Sequence, residues 1–254
     1  MFDIHSHVLF GVDDGPKTVE KSLEMLKQAE NEGITHVFAT SHACHPQYDV
    51  CAEDVVKQVQ LLQRELEIRG SRVKIHTGHE VRITYDLLDK LAQKEVLTLA
   101  NSSFLLLELP SSTIPIYTKS IIIQLKSVGI TPIIAHPERN KAIAEKPSRL
   151  EQLIREGAVA QITAGSLAGH YGKKTQQLSL DLVRANLVHT YGSDAHNPTT
   201  RPFLFDAGLT YLEKKKELDA VDVLLENNAR IFENKPFVLL EPQEINPKKW
   251  WRIF

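Results

Sequence analysis

Histidines and carboxylates gather in four short clusters along this chain: Asp3-Ile4-His5-Ser6-His7, Ser41-His42, Ala135-His136-Pro137-Glu138-Arg139 and Ser193-Asp194-Ala195-His196. Each falls where an apolar, strand-like run ends, and Glu80 and Glu108 close two further runs of the same kind. Imidazole and carboxylate suit divalent transition metals, and His-x-His on a strand points both rings to one face because side chains alternate. A lone histidine is most often structural, which is the reading given to His36, His76, His170 and His189. Converging histidines and acids are another matter, since burying such charges unpaired costs on the order of several kcal/mol each. The chemistry expected is that of a multinuclear metal centre in a metal-dependent hydrolase.

Such a centre needs a scaffold that gathers many strand ends. Short apolar runs at Phe2 to His5, Ile34 to Thr40, Val73 to Thr77, Phe104 to Leu107, Pro132 to Ala135, Ala158 to Ile162 and Leu187 to Tyr191 read as buried parallel strands. Amphipathic stretches lie between them. Val19, Leu23, Leu26 and Ala29 recur at helical spacing before Gly33, and Val55, Val59, Leu62 and Leu66 before Gly70. Strand and helix in alternation imply parallel strands with right-handed crossovers, in either a closed barrel or an open doubly wound sheet. The candidate ligands favour the barrel, because a barrel brings the C-terminal end of every strand to one rim, whereas an open sheet gathers its site at one crevice.

A length of 254 residues is close to the roughly 250 of one such barrel. One domain over residues 1–235 is expected, with residues 236–254 as a C-terminal tail. The 30 basic and 32 acidic side chains nearly balance, so nothing global suits nucleic acid as a partner. A candidate ligand at position 5 leaves no room for a signal peptide, and no apolar run reaches the ~18 residues of a membrane span. With Cys44 and Cys51 as the only cysteines, a cytoplasmic protein is expected.

Taken in order, Asp3-Ile4-His5-Ser6-His7, Gly11-Val12-Asp13-Asp14-Gly15, His42, Glu80, Glu108, His136-Pro137-Glu138-Arg139-Asn140, Gly165-Ser166-Leu167-Ala168-Gly169 and Ser193-Asp194-Ala195-His196-Asn197 resemble the PHP (polymerase and histidinol phosphatase) superfamily. Within it the chain is similar to the bacterial tyrosine-protein phosphatases of the CpsB/CapC/YwqE group. The resemblance runs from Phe2 to about Arg201. It implies a distorted, TIM-like (β/α)7 barrel with a trinuclear metal site at the C-terminal ends of the strands.

Carried over residue by residue, the family pattern gives one ion to His5, His7, Glu80 and Asp194, a second to Glu80, Glu108 and His136, and a third to Asp14, His42 and His196. Glu80 bridges two of them. The resemblance implies three divalent ions, usually manganese; Cys44 and His45 near His42 leave iron or zinc open. Asp3 and Asp13 read as groups that orient ligand imidazoles, or as structural hydrogen-bond acceptors. Two such ions acidify bound water and hold it in line with a phosphorus atom, so a metal-bound hydroxide is the expected nucleophile.

A phosphomonoester also needs its non-bridging oxygens neutralised. Arg139 and Arg201, each a few residues beyond a candidate ligand, offer planar two-point donors for that task, and the resemblance implies phosphate contact at both. A cysteine-dependent phosphatase is excluded on spacing, because its arginine follows the nucleophile by six positions, where this chain has Val50 after Cys44 and Lys57 after Cys51. The glycine loop from Gly165 to Gly172 reads equally as an anion cradle or as a tight turn before a helix near Thr175.

The function implied is hydrolysis of phosphotyrosine on a bacterial tyrosine autokinase that controls capsular or exopolysaccharide synthesis. A small-molecule phosphomonoesterase such as histidinol phosphatase is the alternative, with a PHP nuclease behind it because no basic groove is evident. The tail segment Lys248 to Phe254 reads as a frayed terminus, with a docking peptide or weak membrane contact as the other readings.

Overall fold

The computed structural model describes residues 1–245. Its first half runs β1 (Phe2–Ser6), α1 (Val19–Asn31), β2 (His36–Ala39), β3 (His42–Ala43), α2 (Ala52–Ile68), β4 (Lys74–Thr77), β5 (Glu80–Arg82), α3 (Leu87–Ala92), β6 (Phe104–Glu108) and α4 (Thr118–Ser127). The second half runs β7 (Thr131–Ala135), α5 (Lys141–Glu145), α6 (Ser148–Arg155), β8 (Val159–Thr163), α7 (Ala164–Leu167), α8 (Lys173–Arg184), β9 (Thr190–Gly192), α9 (Phe205–Lys214) and α10 (Leu218–Phe232). Every strand pair is parallel.

Helices form where the apolar spacing calls for them. Leu23, Met25, Leu26 and Ala29 make the buried face of α1, and Val55, Val59, Leu62 and Leu66 that of α2. Just beyond each end stands a glycine in the left-handed region, Gly33 at φ +77° and Gly70 at φ +67°. The strands sort into a three-stranded sheet, β1-β2-β4, and a six-stranded sheet, β3-β5-β6-β7-β8-β9. The described residues form nine strands where seven runs are legible in the sequence, because two pathways are interrupted. Thr40-Ser41 separates β2 from β3, and Gly78-His79 separates β4 from β5. A Cβ on Gly78 would lie 2.9 Å from Leu99 Cδ2 and 3.3 Å from Thr40 Cγ2, so a larger residue at the second break would have to displace the buried Leu99 side chain.

The ends of the strand series approach each other. Ser6 bridges Ala195 just past β9, with His7 N donating to Ala195 O at 2.8 Å and Asp194 N to His5 O at 2.7 Å. Buried Asn228 of α10 adds a second tie, accepting from Tyr191 N at 3.0 Å and donating to Phe2 O at 2.8 Å.

Alternation divides the strand residues into two cores. Phe104, Leu106, Ile133 and Val159 join Ile4 and Phe38 in one cluster, while Leu105, Leu107, Ile134, Ala160 and Ile162 pack with the helices in another. Glu80 is in register with Leu106 and Gln161 with Ala135, so these polar side chains share the face of the smaller cluster. The residues after α10 pack on the same body: Phe237 stacks on Phe104 at 4.5 Å, and Val238 N donates to Asn227 Oδ1 at 2.8 Å. Lys248 to Phe254 lies outside the described residues.

Candidate metal centre

The candidate ligands sit at strand ends or just past them. β1 delivers His5 and leads into His7, β3 and β5 open on His42 and Glu80, β6 ends on Glu108, and β7 and β9 are followed by His136 and by Asp194 and His196. Two of these residues have left-handed backbones, His136 at φ +34° and Asp194 at φ +54°, a conformation that costs energy in residues other than glycine. Asp194 is held there by its amide bond to His5 O, and the His136 amide donates to Gln161 Oε1 at 3.3 Å.

All nine residues expected as ligands converge. His5 Nε2 lies 3.2 Å from Asp194 Oδ1 and 3.5 Å from Glu80 Oε2, and His7 Nε2 lies 3.3 Å from Glu80 Oε2. Asp14 Oδ1 is 3.2 Å from His196 Nε2 and 3.5 Å from His42 Nε2, and His7 joins this group. The remaining group differs from the family pattern: His42, with Nδ1 3.1 Å from Glu80 Oε2, clusters with Glu80 and Glu108. His136 Nε2 instead meets the other Glu80 oxygen, Oε1, at 2.7 Å.

The donor set fits divalent cations on two independent observations. The outward nitrogen of three rings is engaged: His5 Nδ1 with Gln161 Oε1 at 3.1 Å, His7 Nδ1 with Asp13 Oδ2 at 2.9 Å and His196 Nδ1 with Asp194 O at 2.9 Å. A carboxylate and a carbonyl only accept, so His7 and His196 carry their protons on Nδ1 and turn the Nε2 lone pair inward. In addition His5 Nε2, His7 Nε2, Asp14 Oδ1, His42 Nδ1 and Glu108 Oε2 are buried without a hydrogen-bond partner. Asp13 therefore orients an imidazole. Asp3 accepts instead from the His5 and Ser193 amides at 3.3 and 2.8 Å and from Ser193 Oγ, so its task is to tie β1 to the segment after β9.

Burial and charge oppose each other throughout. Among the protein's groups alone, burial resists charge on His7, yet Asp13 and Glu80 outweigh it and pull the imidazole up to about 10, so Nε2 facing Glu80 holds a second proton that a bound cation would replace. Asp14 is lowered to about 2 as His196, His7 and His42 overcome its burial, and Asp194 is lowered as Arg139, His5, His196 and Arg201 overcome its own. Glu108 goes the other way, raised by burial and by neighbouring Glu80 despite Arg82. Two carboxylates crowded together in this manner are a setting that a shared cation relieves.

Above the cluster opens a cavity of about 340 Å³ whose lining includes Arg139 and Arg201. Arg139 pairs through Nη2 with Asp194 Oδ2, and through Nη1 donates to Tyr171 Oη at 3.2 Å. Arg201 donates through Nη2 to Asp194 Oδ2 at 2.9 Å and through Nη1 to Asp14 Oδ2 at 3.3 Å. Its backbone is set by Asn197, whose Oδ1 accepts from the amides of Thr199, Thr200 and Arg201.

A third cation was not anticipated: Arg82 Nε stands 2.9 Å from Glu108 Oε2, an ion pair without hydrogen-bond alignment. Its sequence signal is its place two residues after Glu80 on the same strand face. Tyr171 and Gln161 were missed as well, since nothing local marks either. The glycine segment opens on the short helix α7 and closes in turns bonded within the chain. Ala164 to Leu167 is buried, the Gly165 and Gly169 carbonyls accept from the His170 and Gly172 amides, and Thr163 Oγ1 accepts from Ser166 N.

Comparison with known proteins agrees with this geometry. The family model described as capsular polysaccharide synthesis, CpsB/CapC, matches residues 1–233. The chain is 38% identical to a putative tyrosine-protein phosphatase CapC of Staphylococcus aureus and 36% identical to the tyrosine-protein phosphatase YwqE of Bacillus subtilis, each over the whole of both chains. Among solved structures, a chain from crystal structures of YwqE from Bacillus subtilis and CpsB from Streptococcus pneumoniae, described as unique metal-dependent tyrosine phosphatases, superposes with a TM-score of 0.94 at 36% identity. That match covers 97% of this chain and 100% of the other. An organophosphorus hydrolase, 14% identical with a TM-score of 0.54 over 90% of this chain and 91% of its own, shares the fold alone. The chain belongs to the CpsB/CapC family of capsular polysaccharide synthesis.

Proposed function

We propose that this chain is a metal-dependent protein tyrosine phosphatase that acts on a bacterial tyrosine autokinase and so regulates capsular or exopolysaccharide synthesis. The observation that carries the reading is the convergence of nine nitrogen and oxygen ligand residues beneath two arginines in one cavity. Relatives named as tyrosine-protein phosphatases over the full length of the chain support it.

In this reading the parallel strands close into a distorted (β/α)7 barrel over residues 1–235. The Ser6 to Ala195 bridge and the Asn228 tie support closure. His5, His7, Asp14, His42, Glu80, Glu108, His136, Asp194 and His196 hold three divalent ions, with manganese preferred and iron or zinc as alternatives. His42 stands between Asp14 and the Glu80–Glu108 pair, and its one neutral-imidazole lone pair would be offered to an ion on either side. Bound ions of this kind acidify water and neutralise phosphoryl oxygens.

The protein's own groups do the rest. Arg139 and Arg201 hold the non-bridging oxygens through charge-assisted bonds, and Asp194 keeps both guanidiniums aimed at the cavity between turnovers. Asp13, Gln161 and the Asp194 carbonyl fix the ring orientations of His7, His5 and His196. No cysteine takes part. Burial pushes the Cys44 thiol up to about 11, which keeps it protonated and unreactive at neutral pH.

The free cysteines fit a cytoplasmic location, which belongs to the same proposal. Among the described residues no helix is long and apolar enough to cross a membrane. The deciding experiment compares kcat/KM of the manganese-loaded chain on a phosphotyrosine peptide, histidinol phosphate and single-stranded DNA. The phosphotyrosine peptide is expected to lead. A higher value on histidinol phosphate assigns the chain to small-molecule phosphatases, and one on DNA to nucleases.

A further inference from the structure

One wall of the cavity is aromatic. His42, His45 and Tyr48 present three nearly parallel rings: His45 lies 4.6 Å from His42 at 24°, and Tyr48 lies 5.6 Å from His45 at 18° and 5.7 Å from His42 at 9°. All three line the cavity that holds Arg139 and Arg201, and Tyr48 carries the one phenyl-type ring among the described lining residues.

The loop between β3 and α2 that bears this wall is fixed by its own bonds. His45 and Tyr48 exchange amide-to-carbonyl bonds of 3.0 and 3.2 Å, and Val50 N donates to His42 O at 3.0 Å. Cys44 N donates to Asp49 Oδ1 at 2.7 Å, holding Cys44 at φ +58°, and Gln47 N donates to His45 Nδ1 at 3.2 Å, which fixes that ring. Tyr48 itself is half-buried. A ring held in place before a ligand arrives loses little entropy when one packs against it.

We propose that Tyr48 is a specificity-determining residue whose ring packs against the aryl group of a phosphotyrosine while Arg139 and Arg201 hold the phosphate. The inference rests on the phosphatase reading above. An aryl phosphate carries its ring one oxygen away from phosphorus, so a phosphate seated between the arginines and the ligand cluster leaves the ring inside the cavity walls. An alkyl ester such as phosphoserine has no ring to offer. Tyr48 therefore raises affinity for aryl esters over alkyl esters by about two- to tenfold, the factor that an aromatic pair supplies.

The test uses the manganese-loaded full chain and two pairs of probes. Phenylphosphonate and methylphosphonate are compared for binding by calorimetry, and phosphotyrosine and phosphoserine forms of one peptide for kcat/KM. Tyr48→Ala is expected to lower both aryl-to-alkyl ratios about two- to tenfold, and Tyr48→Phe to keep them. Unchanged ratios in Tyr48→Ala, or an equal loss in Tyr48→Phe, overturn the proposal. If the wild-type chain hydrolyses neither peptide, the phosphatase reading fails, while the phosphonate ratio still decides whether Tyr48 forms an aryl-binding wall.

Discussion

Arg201 donates through Nη2 to Asp194 Oδ2 at 2.9 Å, while Oδ1 of the same carboxylate faces the Nε2 atoms of His5 and His7 at 3.2 and 3.5 Å. One oxygen of Asp194 thus serves the ligand cluster and the other positions an arginine. Arg139 reaches that second oxygen too. In the proposed reading, metal binding and phosphate binding therefore meet on one side chain and separate at its two oxygens.

This separation gives the first prediction. Arg139→Ala or Arg201→Ala, each leaving the other guanidinium on Asp194, is expected to keep metal content while kcat/KM falls by roughly 10²–10³. Arg139→Lys should fall between wild type and Ala, because an ammonium restores charge without the planar two-point contact. Steady-state kinetics beside elemental analysis reads both quantities. Inorganic phosphate should inhibit either Ala variant less strongly than wild type.

A second prediction concerns the 2.9 Å contact between His7 Nδ1 and Asp13 Oδ2. Asp13 does not line the cavity, yet it fixes the orientation of the His7 ring. Asp13→Ala should weaken metal binding by roughly 10- to 100-fold, the usual effect of losing a partner that orients a ligand. Chelator competition measures it, and unchanged affinity would mean that the cluster orients His7 unaided.

These relationships were legible in the sequence to different depths. Phe104 to Leu107 and Pro132 to Ala135 declare themselves as strands because both faces are buried, and ligands at their ends follow from that reading. β3 and β5 have only two and three residues, too short to show a period, and the breaks before them depend on tertiary contacts such as Gly78 against Leu99. Arg82 pairs with an acid on the neighbouring strand, and Tyr48 faces rings from its own loop and from β3. Side-chain identity named most of the nine candidate ligand residues, whereas the grouping of His42 with Glu80 and Glu108 is a matter of distance alone.

Away from the centre, His189 supplies a prediction about pH. It is buried on β8's flank with Nδ1 accepting from Ala160 N at 3.1 Å, and burial lowers its pKa from 6.5 to about 4. The unfolded chain binds the proton more readily, so the stability that neutral His189 contributes is complete above pH 6.5 and is lost as pH falls toward 4. His189→Asn keeps an acceptor for Ala160 N and removes the titration. Urea unfolding of the metal-free chain from pH 7.5 to 4 should therefore be shallower in the variant, by at most roughly 1.4 kcal/mol per pH unit. Parallel pH profiles would show that His189 becomes protonated without cost.

The central claim is that hydrolysis depends on bound divalent metal and not on a thiol. It is tested most directly on a chain with Cys44→Ser and Cys51→Ser, stripped with chelator until elemental analysis finds no metal, then assayed on a phosphotyrosine peptide before and after manganese is restored. The stripped chain is expected to be inactive, and activity should return as metal refills the cluster. Full turnover by protein shown to hold no metal would contradict the account.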